Sequence, residues 1–307
     1  MTFDRKLSRD QTLRSLVEKI SELPTLPHVV YKVLQVLNNP NASIRQIAEV
    51  LEQDVSLSAQ VLRLANSGFY SHAGGATTID RAITSIGMDS VSQLVFTAAV
   101  FNQFELNSVP SFNVREFWKH SLGVAIASET IAQSLGHREP ALVYLSGLVH
   151  DIGKLVYFQL HRDEWLQVCE WARLERQTIA EAETTLETIP HAELGYELTR
   201  HWRLPLMIQE VALGHHNSMT LVNDLEVSEN AAVIRIVNLA NLLVHSLRYG
   251  HSGHNAVRNP KKDLVVQILG DDANLMPLIH KVHVSLSRSE QLLISVAGAE
   301  STRPSAN

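Results

Sequence analysis

Hydrophobic residues along the chain follow the spacing of amphipathic helices. Near the N-terminus they recur at intervals of three and four, which is the period of one helix face, at Leu13, Leu16, Val17, Ile20 and Leu23. This stripe stops at Pro24 and Pro27, because proline lacks the backbone N–H that continues a helix. Alternating runs rich in Val, Ile and Thr, which would indicate strands, are hard to find. We therefore predict an all-α fold.

Capping and turn residues separate the successive helices. Ser43 is followed three residues later by Gln46, and this pair predicts a capping box at a helix N-terminus. Asp54 or Ser56 is expected to cap the next helix. Gly87 is expected to close a short helix, because glycine most easily adopts the left-handed conformation found there.

The composition excludes several classes of protein. The 307 residues are 45% hydrophobic, enough for one large domain or two ordinary ones. A net charge of −6 gives no general attraction to nucleic acid or to anionic lipid. The single cysteine, Cys169, rules out a disulfide framework and any cysteine-based zinc site, and we expect it to be a packed thiol. No apolar run reaches the roughly 18 to 20 residues of a membrane span, and no signal peptide is visible, so we expect a cytoplasmic protein.

A polar segment with a proline, residues 107–111, predicts the main division of the chain. We expect an extension at 1–14, an N-terminal helical subdomain at 15–108, a second helical subdomain at 112–250, C-terminal helices at 260–298 and a disordered tail at 299–307. The loop from Tyr249 to Asn259, with its glycines and several histidines, is expected to be exposed. Trp118 and Trp202 are expected to anchor the core.

Histidines offer the main candidate chemistry. Of the fifteen, those in four places stand out: His120, His150 beside Asp151, His191, and His215 with His216. Imidazole and carboxylate groups hold Zn, Mn or Fe where thiolate is unavailable. Adjacent residues on a helix diverge by about 100°, so one ion could join His150 and Asp151 only together with ligands from neighbouring helices. Each histidine alone is more consistent with packing, and the combination carries the metal hypothesis.

Two levels of family resemblance follow from these residues. The segment GLVHDIGK at 147–154 resembles the signature of the HD superfamily of metal-dependent phosphohydrolases, and the order of the histidines resembles its HD-GYP phosphodiesterase branch. The remainder, roughly residues 16–245, resembles the narrower HDOD domains. The HDOD motifs stand in order as LPTLP at 23–27, QDVSL at 53–57, LANS at 64–67, AI at 82–83 with IG at 86–87, WKHS at 118–121, HAELG at 191–195 and WRLP at 202–205. Val55 stands where the family usually has proline, which we expect to matter only for a turn.

The resemblance implies a helical bundle of HD-superfamily type with an N-terminal helical subdomain, and it implies a set of ligands. Asp151 would bridge two ions, of which one would also bind His120 and His150. The other ion would bind His191, His215 and His216. The cofactor implied is one or two divalent ions of Fe, Mn or Zn. Lys154 would either stabilise phosphate charge or be a solvated lysine beyond a buried motif, and both alternatives stay open.

Two departures from the HD pattern bear on this chemistry. Where the pattern ends in aspartate, residues 236–241 read IVNLAN, so Asn241 replaces the last carboxylate. An amide oxygen can coordinate a metal but brings no charge, and we expect weakened binding where it meets His120, His150 and Asp151. His216 is also not followed by the Gly-Tyr-Pro segment of the phosphodiesterases, which argues against recognition of their cyclic dinucleotide.

Three functions are compatible with these observations. The leading hypothesis is a cytoplasmic bacterial regulatory protein that acts by binding a signalling protein or a small ligand, with a degenerate metal pocket. The second is an active metal-dependent phosphohydrolase or phosphodiesterase, in which Asp151 and Lys154 would be catalytic. The third is a structural bundle whose histidines fill a polar core. The sequence leaves the partner, the metal and the oligomeric state open.

Overall fold

The computed structural model describes residues 2–37, 43–67, 75–104, 107–216, 228–270 and 274–297. Across these ranges the regular structure is entirely helical, apart from one isolated bridge between Val109 and Phe112. The predicted all-α fold is therefore confirmed. The predicted tail at 299–307 lies outside the described residues.

Sixteen helices are found in the described ranges. The first eight are α1 (Thr2–Ser21), α2 (His28–Leu37), α3 (Ile44–Leu51), α4 (Val55–Ala65), α5 (Ile79–Ile86), α6 (Met88–Phe101), α7 (Val114–Ser134) and α8 (Pro140–Val149). The others are α9 (Gly153–Leu160), α10 (Arg162–Leu174), α11 (Ile179–Leu186), α12 (His191–His201), α13 (Leu206–Gly214), α14 (Ala231–Ser246), α15 (Lys262–Leu269) and α16 (Met276–Ala297). Contacts divide the chain into a larger unit, made of residues 1–25 and 106–283, and a smaller unit, made of residues 26–105 and 284–307.

The smaller unit packs α2, α4 and α5 against α6, which is buried from Val91 to Val100. Its helix ends follow the sequence signals. The predicted capping box is present at the start of α3, and Asp54, not Ser56, caps α4 by accepting a hydrogen bond from the backbone N–H of Leu57. Val55 is 81% exposed at the first position of α4, where proline is also tolerated, so this departure from the family pattern disturbs nothing.

The larger unit is built on α7, α8 and α14, which pack closely together. Glycine makes the closest approaches possible. A Cβ atom at Gly147 would lie 2.9 Å from Cα of Ala125 on α7, and one at Gly153 would lie 1.8 Å from the carbonyl oxygen of His191 on α12. The bundle therefore holds α8 and α9 tightly against α7 and α12.

Helix α1 belongs to the larger unit, although the sequence analysis grouped residues 15–25 with the N-terminal subdomain. Leu16 and Ile20 are buried, and α1 packs on α12 and α9. Beyond α1, Nε1 of Trp202 donates to the carbonyl oxygen of Pro24 at 3.1 Å. An apolar stripe shows that one face of a helix is buried but not which helix covers it, so the sequence does not assign α1 to a unit. Trp118 and Trp202 are both buried, as predicted.

One stretch of the described chain, Pro140–Leu160, is long and apolar enough to cross a membrane. However, 94% of its apolar window is buried inside the protein. It comprises α8, α9 and the turn between them, which form part of the core of the larger unit. The same composition is expected of a buried core helix.

Candidate metal centre

The turn between α8 and α9 brings His150 and Asp151 into the middle of the larger unit, where the other predicted ligands surround them. His120 comes from α7, His191 begins α12, and His215 directly follows the last residue of α13. Five of the six predicted histidine and aspartate ligands are fully buried, namely His120, His150, Asp151, His191 and His215. The side chain of the sixth, His216, is 20% exposed. The structure thus brings all these predicted residues together.

One half of the centre forms around Oδ1 of Asp151. This oxygen lies 3.1 Å from Nε2 of His191, 3.2 Å from Nε2 of His215 and 3.9 Å from Nε2 of His216. The Nε2 atoms of His216 and His191 are 2.9 Å apart. Ligands around a tetrahedral ion with bonds of about 2.0–2.1 Å are separated by about 3.3 Å. These four side chains therefore fit a single divalent transition-metal ion, and we name them the Oδ1 half.

The other half forms around Oδ2 of Asp151 and contains His120, His150 and Asn241; we name it the Oδ2 half. Nε2 of His150 lies 3.3 Å from Oδ2. Nε2 of His120 lies 3.0 Å from Oδ1 of Asn241. The ammonium of Lys154 is the nearest group to Oδ2, at 2.6 Å. This half has the donor atoms for an ion, but a cationic side chain stands against its one anionic oxygen.

Backbone carbonyl groups fix the orientation of two of the candidate imidazole ligands. Nδ1 of His150 donates to the carbonyl oxygen of Gly147 at 2.8 Å, and Nδ1 of His215 donates to that of Ala212 at 3.0 Å. With the proton on Nδ1, Nε2 of each neutral ring is left as a lone-pair donor. Among the described residues, the buried Nε2 of His150 has no hydrogen-bond partner. Such an orphaned atom fits a metal ligand.

A buried carboxylate that the sequence analysis did not predict holds His191. Glu183 on α11 contacts Nδ1 of His191 with both oxygens and also accepts its backbone N–H. A carboxylate behind a ligating histidine selects the Nδ1–H tautomer and raises the basicity of Nε2. Glu183 lies eight residues from His191 in a segment with no motif, so no sequence signal indicated it.

The protonation states follow from burial and neighbouring charges. Burial lowers the pKa of His215 to about 4, and it lowers the pKa values of His120 and His216 well below their ordinary value. Burial also acts to lower the pKa of His191, but the Glu183 charge and the hydrogen bonds outweigh it and raise this pKa. Burial acts to raise the pKa of Asp151, but the charge of Lys154 and the hydrogen bonds outweigh it, and the pKa is well below its ordinary value. At neutral pH the centre therefore offers neutral imidazoles at His120, His215 and His216 and an ionised carboxylate at Asp151. His191, whose pKa is raised, must lose its proton before it binds an ion.

The segment from Tyr249 to His254 covers the Oδ2 half. Lys154 is 1% exposed, and its Nζ donates to the carbonyl oxygen and to Oγ of Ser252, both at 3.2 Å. The reading of Lys154 as a solvated lysine is therefore wrong. The expected exposure of this loop is also wrong for Ser252 and His254, which are 0% and 5% exposed. These polar residues are buried because Lys154 and His245 lie against them.

Two further histidines line this side of the centre. The ring of His245 lies between those of His120 and His254, with centroids 4.3 Å and 4.5 Å apart and the ring planes tilted by 38° and 30°. His245 lies four residues after Asn241 and so on the same face of α14, a spacing that could have indicated it. Ser252 and His254 lie on an irregular segment, where no periodicity could have done so.

Most of these candidate ligands lie in the part of the chain that matches a single protein family. The HDOD domain family model matches residues 23–218. Asn241, His245 and Ser252 follow the end of this match. Among solved structures, an HDOD domain protein of unknown function from Geobacter sulfurreducens is 28% identical, with a TM-score of 0.72, and covers 96% of this chain and 98% of its own.

More distant relatives share the fold. A candidate signal transduction protein from Marinobacter aquaeolei VT8 is 21% identical, with a TM-score of 0.76, over 97% of this chain and 67% of its own. A candidate phosphohydrolase from Shewanella amazonensis SB2B is 23% identical, with a TM-score of 0.66, over 92% of this chain and 97% of its own. An uncharacterized protein of Treponema pallidum is 22% identical over 66% of this chain and 39% of its own length. The chain thus spans about two fifths of the length of that curated relative.

Proposed function

Because this chain belongs to the HDOD domain family, we propose that it is a signal-transduction module whose helical pocket binds a divalent transition-metal ion. The observation that carries the proposal is the geometry of the Oδ1 half. Three imidazole Nε2 atoms face one carboxylate oxygen at separations close to those of tetrahedral coordination. Imidazole and carboxylate donors are suited to Zn, Fe or Mn.

Burial favours a binding role over turnover. Catalytic zinc sites keep a coordination position open to water or substrate. Here five of the six predicted histidine and aspartate ligands are fully buried, and only His216 reaches the surface in part. When bound, the ion would cross-link the α8–α9 turn, the start of α12 and the end of α13. Whether the ion is bound would thereby affect a surface of the protein, and a signalling protein within the cell would bind to that surface.

Elemental analysis tests this proposal directly. The protein is stripped with chelator, incubated separately with Zn²⁺, Mn²⁺ or Fe²⁺, desalted and assayed for ions per chain. We expect bound metal in the wild-type protein and in His280→Ala, which alters an exposed histidine. We expect none in His191→Ala or Asp151→Asn. Folded wild-type protein that retains no ion with any of the three metals would overturn the proposal.

A phosphohydrolase is the second candidate. The observation in its favour is that two groups of ligands share Asp151. Two-ion sites of this kind activate water for attack on phosphate esters. A screen of phosphomonoesters, phosphodiesters and cyclic dinucleotides would decide, with Asp151→Asn as the blank. Metal-loaded protein that turns over none of them supports the signalling module.

A further inference from the structure

The two halves of the centre present opposite environments to a cation. In the Oδ1 half, three imidazoles surround the carboxylate oxygen of Asp151, and the carboxylate of Glu183 lies behind one of them, His191. In the Oδ2 half, the ammonium of Lys154 already lies 2.6 Å from that residue's other oxygen. An ammonium and a metal ion cannot share that oxygen without strong repulsion at this distance. If the pocket binds metal as proposed, these two environments determine how many ions bind and in which half.

Lys154 is held in place by chain outside the family match. Ser252 accepts two hydrogen bonds from its Nζ, one at the backbone carbonyl and one at the side chain. The segment that carries Ser252 is packed tightly, since a Cβ atom at Gly250 would lie 2.2 Å from the backbone nitrogen of His120. With Asp151 as a third acceptor, all three ammonium hydrogens of Lys154 have partners in the buried site.

Two of the other donors of the Oδ2 half, His120 and Asn241, are hydrogen-bonded to each other. Nε2 of His120 donates to the amide oxygen of Asn241 at 3.0 Å. The ring of His245 packs against that of His120, with centroids 4.3 Å apart. Asn241 brings no negative charge, so Asp151 supplies the only anionic oxygen of this half. A second divalent ion would have to displace the ammonium and break the bond between His120 and Asn241.

We infer that the pocket holds a single divalent ion, in the Oδ1 half, and that the ammonium of Lys154, clamped by Ser252, takes the place of a second ion. Asp151 thus bridges one metal ion and one lysine. The pocket is thereby a one-ion binding site and not a two-ion hydrolytic centre. Lys154 lies within the HD-type segment 147–154, whereas Ser252, which holds its ammonium in place, lies outside the family match.

Isothermal titration with Mn²⁺ and with Zn²⁺, checked by elemental analysis, measures the number of ions per chain. We expect one in the wild-type protein and in Lys262→Met, which removes an exposed lysine. We expect a second, weaker ion in Lys154→Met, which removes the charge and keeps the length of the side chain. Two ions in the wild-type protein, or a single ion in folded Lys154→Met, would overturn the inference. No ion in the wild-type protein would instead overturn the proposed function on which it rests.

A second pair of variants tests the inference without altering the buried lysine. His150→Ala removes a donor of the Oδ2 half, and His191→Ala removes one of the Oδ1 half. We expect His150→Ala to keep the single ion with less than a tenfold change in affinity, and His191→Ala to lose it. Loss of the ion in His150→Ala would show that it binds in the Oδ2 half, contrary to the inference.

Discussion

Both carboxylate oxygens of Glu183 contact Nδ1 of His191, at 2.8 and 2.9 Å. Oε1 also accepts the backbone N–H of His191 at 3.0 Å. The carboxylate therefore fixes the ring, its tautomer and the first turn of α12 together. Because Nε2 of the same ring faces Asp151, Glu183 controls how well His191 can donate to a metal ion.

We predict that Glu183→Gln weakens metal binding roughly 10- to 100-fold, the usual effect of losing a hydrogen-bonded carboxylate behind a ligand. The glutamine amide keeps the size of the side chain but removes its charge. Titration of chelator-stripped protein with Zn²⁺ measures the change in affinity. Glu175→Gln, an exposed glutamate at the end of α10, is the matched control and should bind as the wild type does. Equal affinities in the two variants would contradict the positioning role.

We predict that the metal-free protein loses stability steeply between pH 6.5 and about pH 4.5. Burial lowers the pKa of His215 to about 4 and that of His245 to about 3, and it depresses those of His120, His216 and His254. In this range the unfolded chain binds protons that the folded chain does not, so stability falls as the pH falls. Each such histidine contributes at most about 1.4 kcal/mol per pH unit.

Other groups titrate outside that range. The pKa of His191 is raised, so its contribution is fully present below pH 6.5 and is lost as the pH rises through its folded value. The pKa of Asp151 is lowered, so its contribution is lost only as the pH falls below the ordinary aspartate value of 3.8. Urea unfolding at half-unit steps of pH measures the slope. A flat free energy of unfolding from pH 6.5 to 5 would show that the buried imidazoles are not held neutral.

From the sequence, the candidate ligands that the fold brings together could be predicted, but not the residues that hold them in place. His120, His150, Asp151, His191 and His215 could be identified because metal chemistry restricts the residue types and the HD pattern restricts their order. Glu183 and Ser252 meet their partners only through tertiary packing, at sequence separations of 8 and 98 residues. Glutamate and serine are common on surfaces, so neither residue type marks a buried site by itself.

The burial of Lys154 also could not be predicted from the sequence alone. Helical spacing places it one turn after Asp151, which is compatible with a solvated side chain or with one that reaches into the pocket. The choice depends on the segment of Ser252, whose glycines and histidines resemble those of an exposed loop. Burial of that segment depends on close packing of Gly250 against α7, which has no signature in the local sequence.

We predict that Gly153→Ala strongly destabilises the larger unit. An added Cβ atom would lie 1.8 Å from the carbonyl oxygen of His191 and 2.6 Å from the backbone nitrogen of Gly195, so α9 and α12 would have to separate. The expected loss is more than about 3 kcal/mol in the free energy of unfolding. Gly136→Ala is the control, because its Cβ atom meets nothing within 4 Å and it suffers only the strain of a φ of +69°, about 1–2 kcal/mol. Equal losses in the two variants would show that α9 and α12 can move apart freely.

We predict that Cys169 is chemically inert while the protein is folded. Its side chain is buried in α10, and burial raises the pKa of the thiol, so little thiolate forms at neutral pH. A disulfide reagent at pH 7.5 should therefore label Cys169 at least ~100-fold more slowly in the folded protein than in denaturant, since reaction requires local opening. Glu175→Cys supplies an exposed thiol nearby as the control and should be labelled at once. If Cys169 of the folded protein reacted as fast as this added thiol, α10 could not be packed as described.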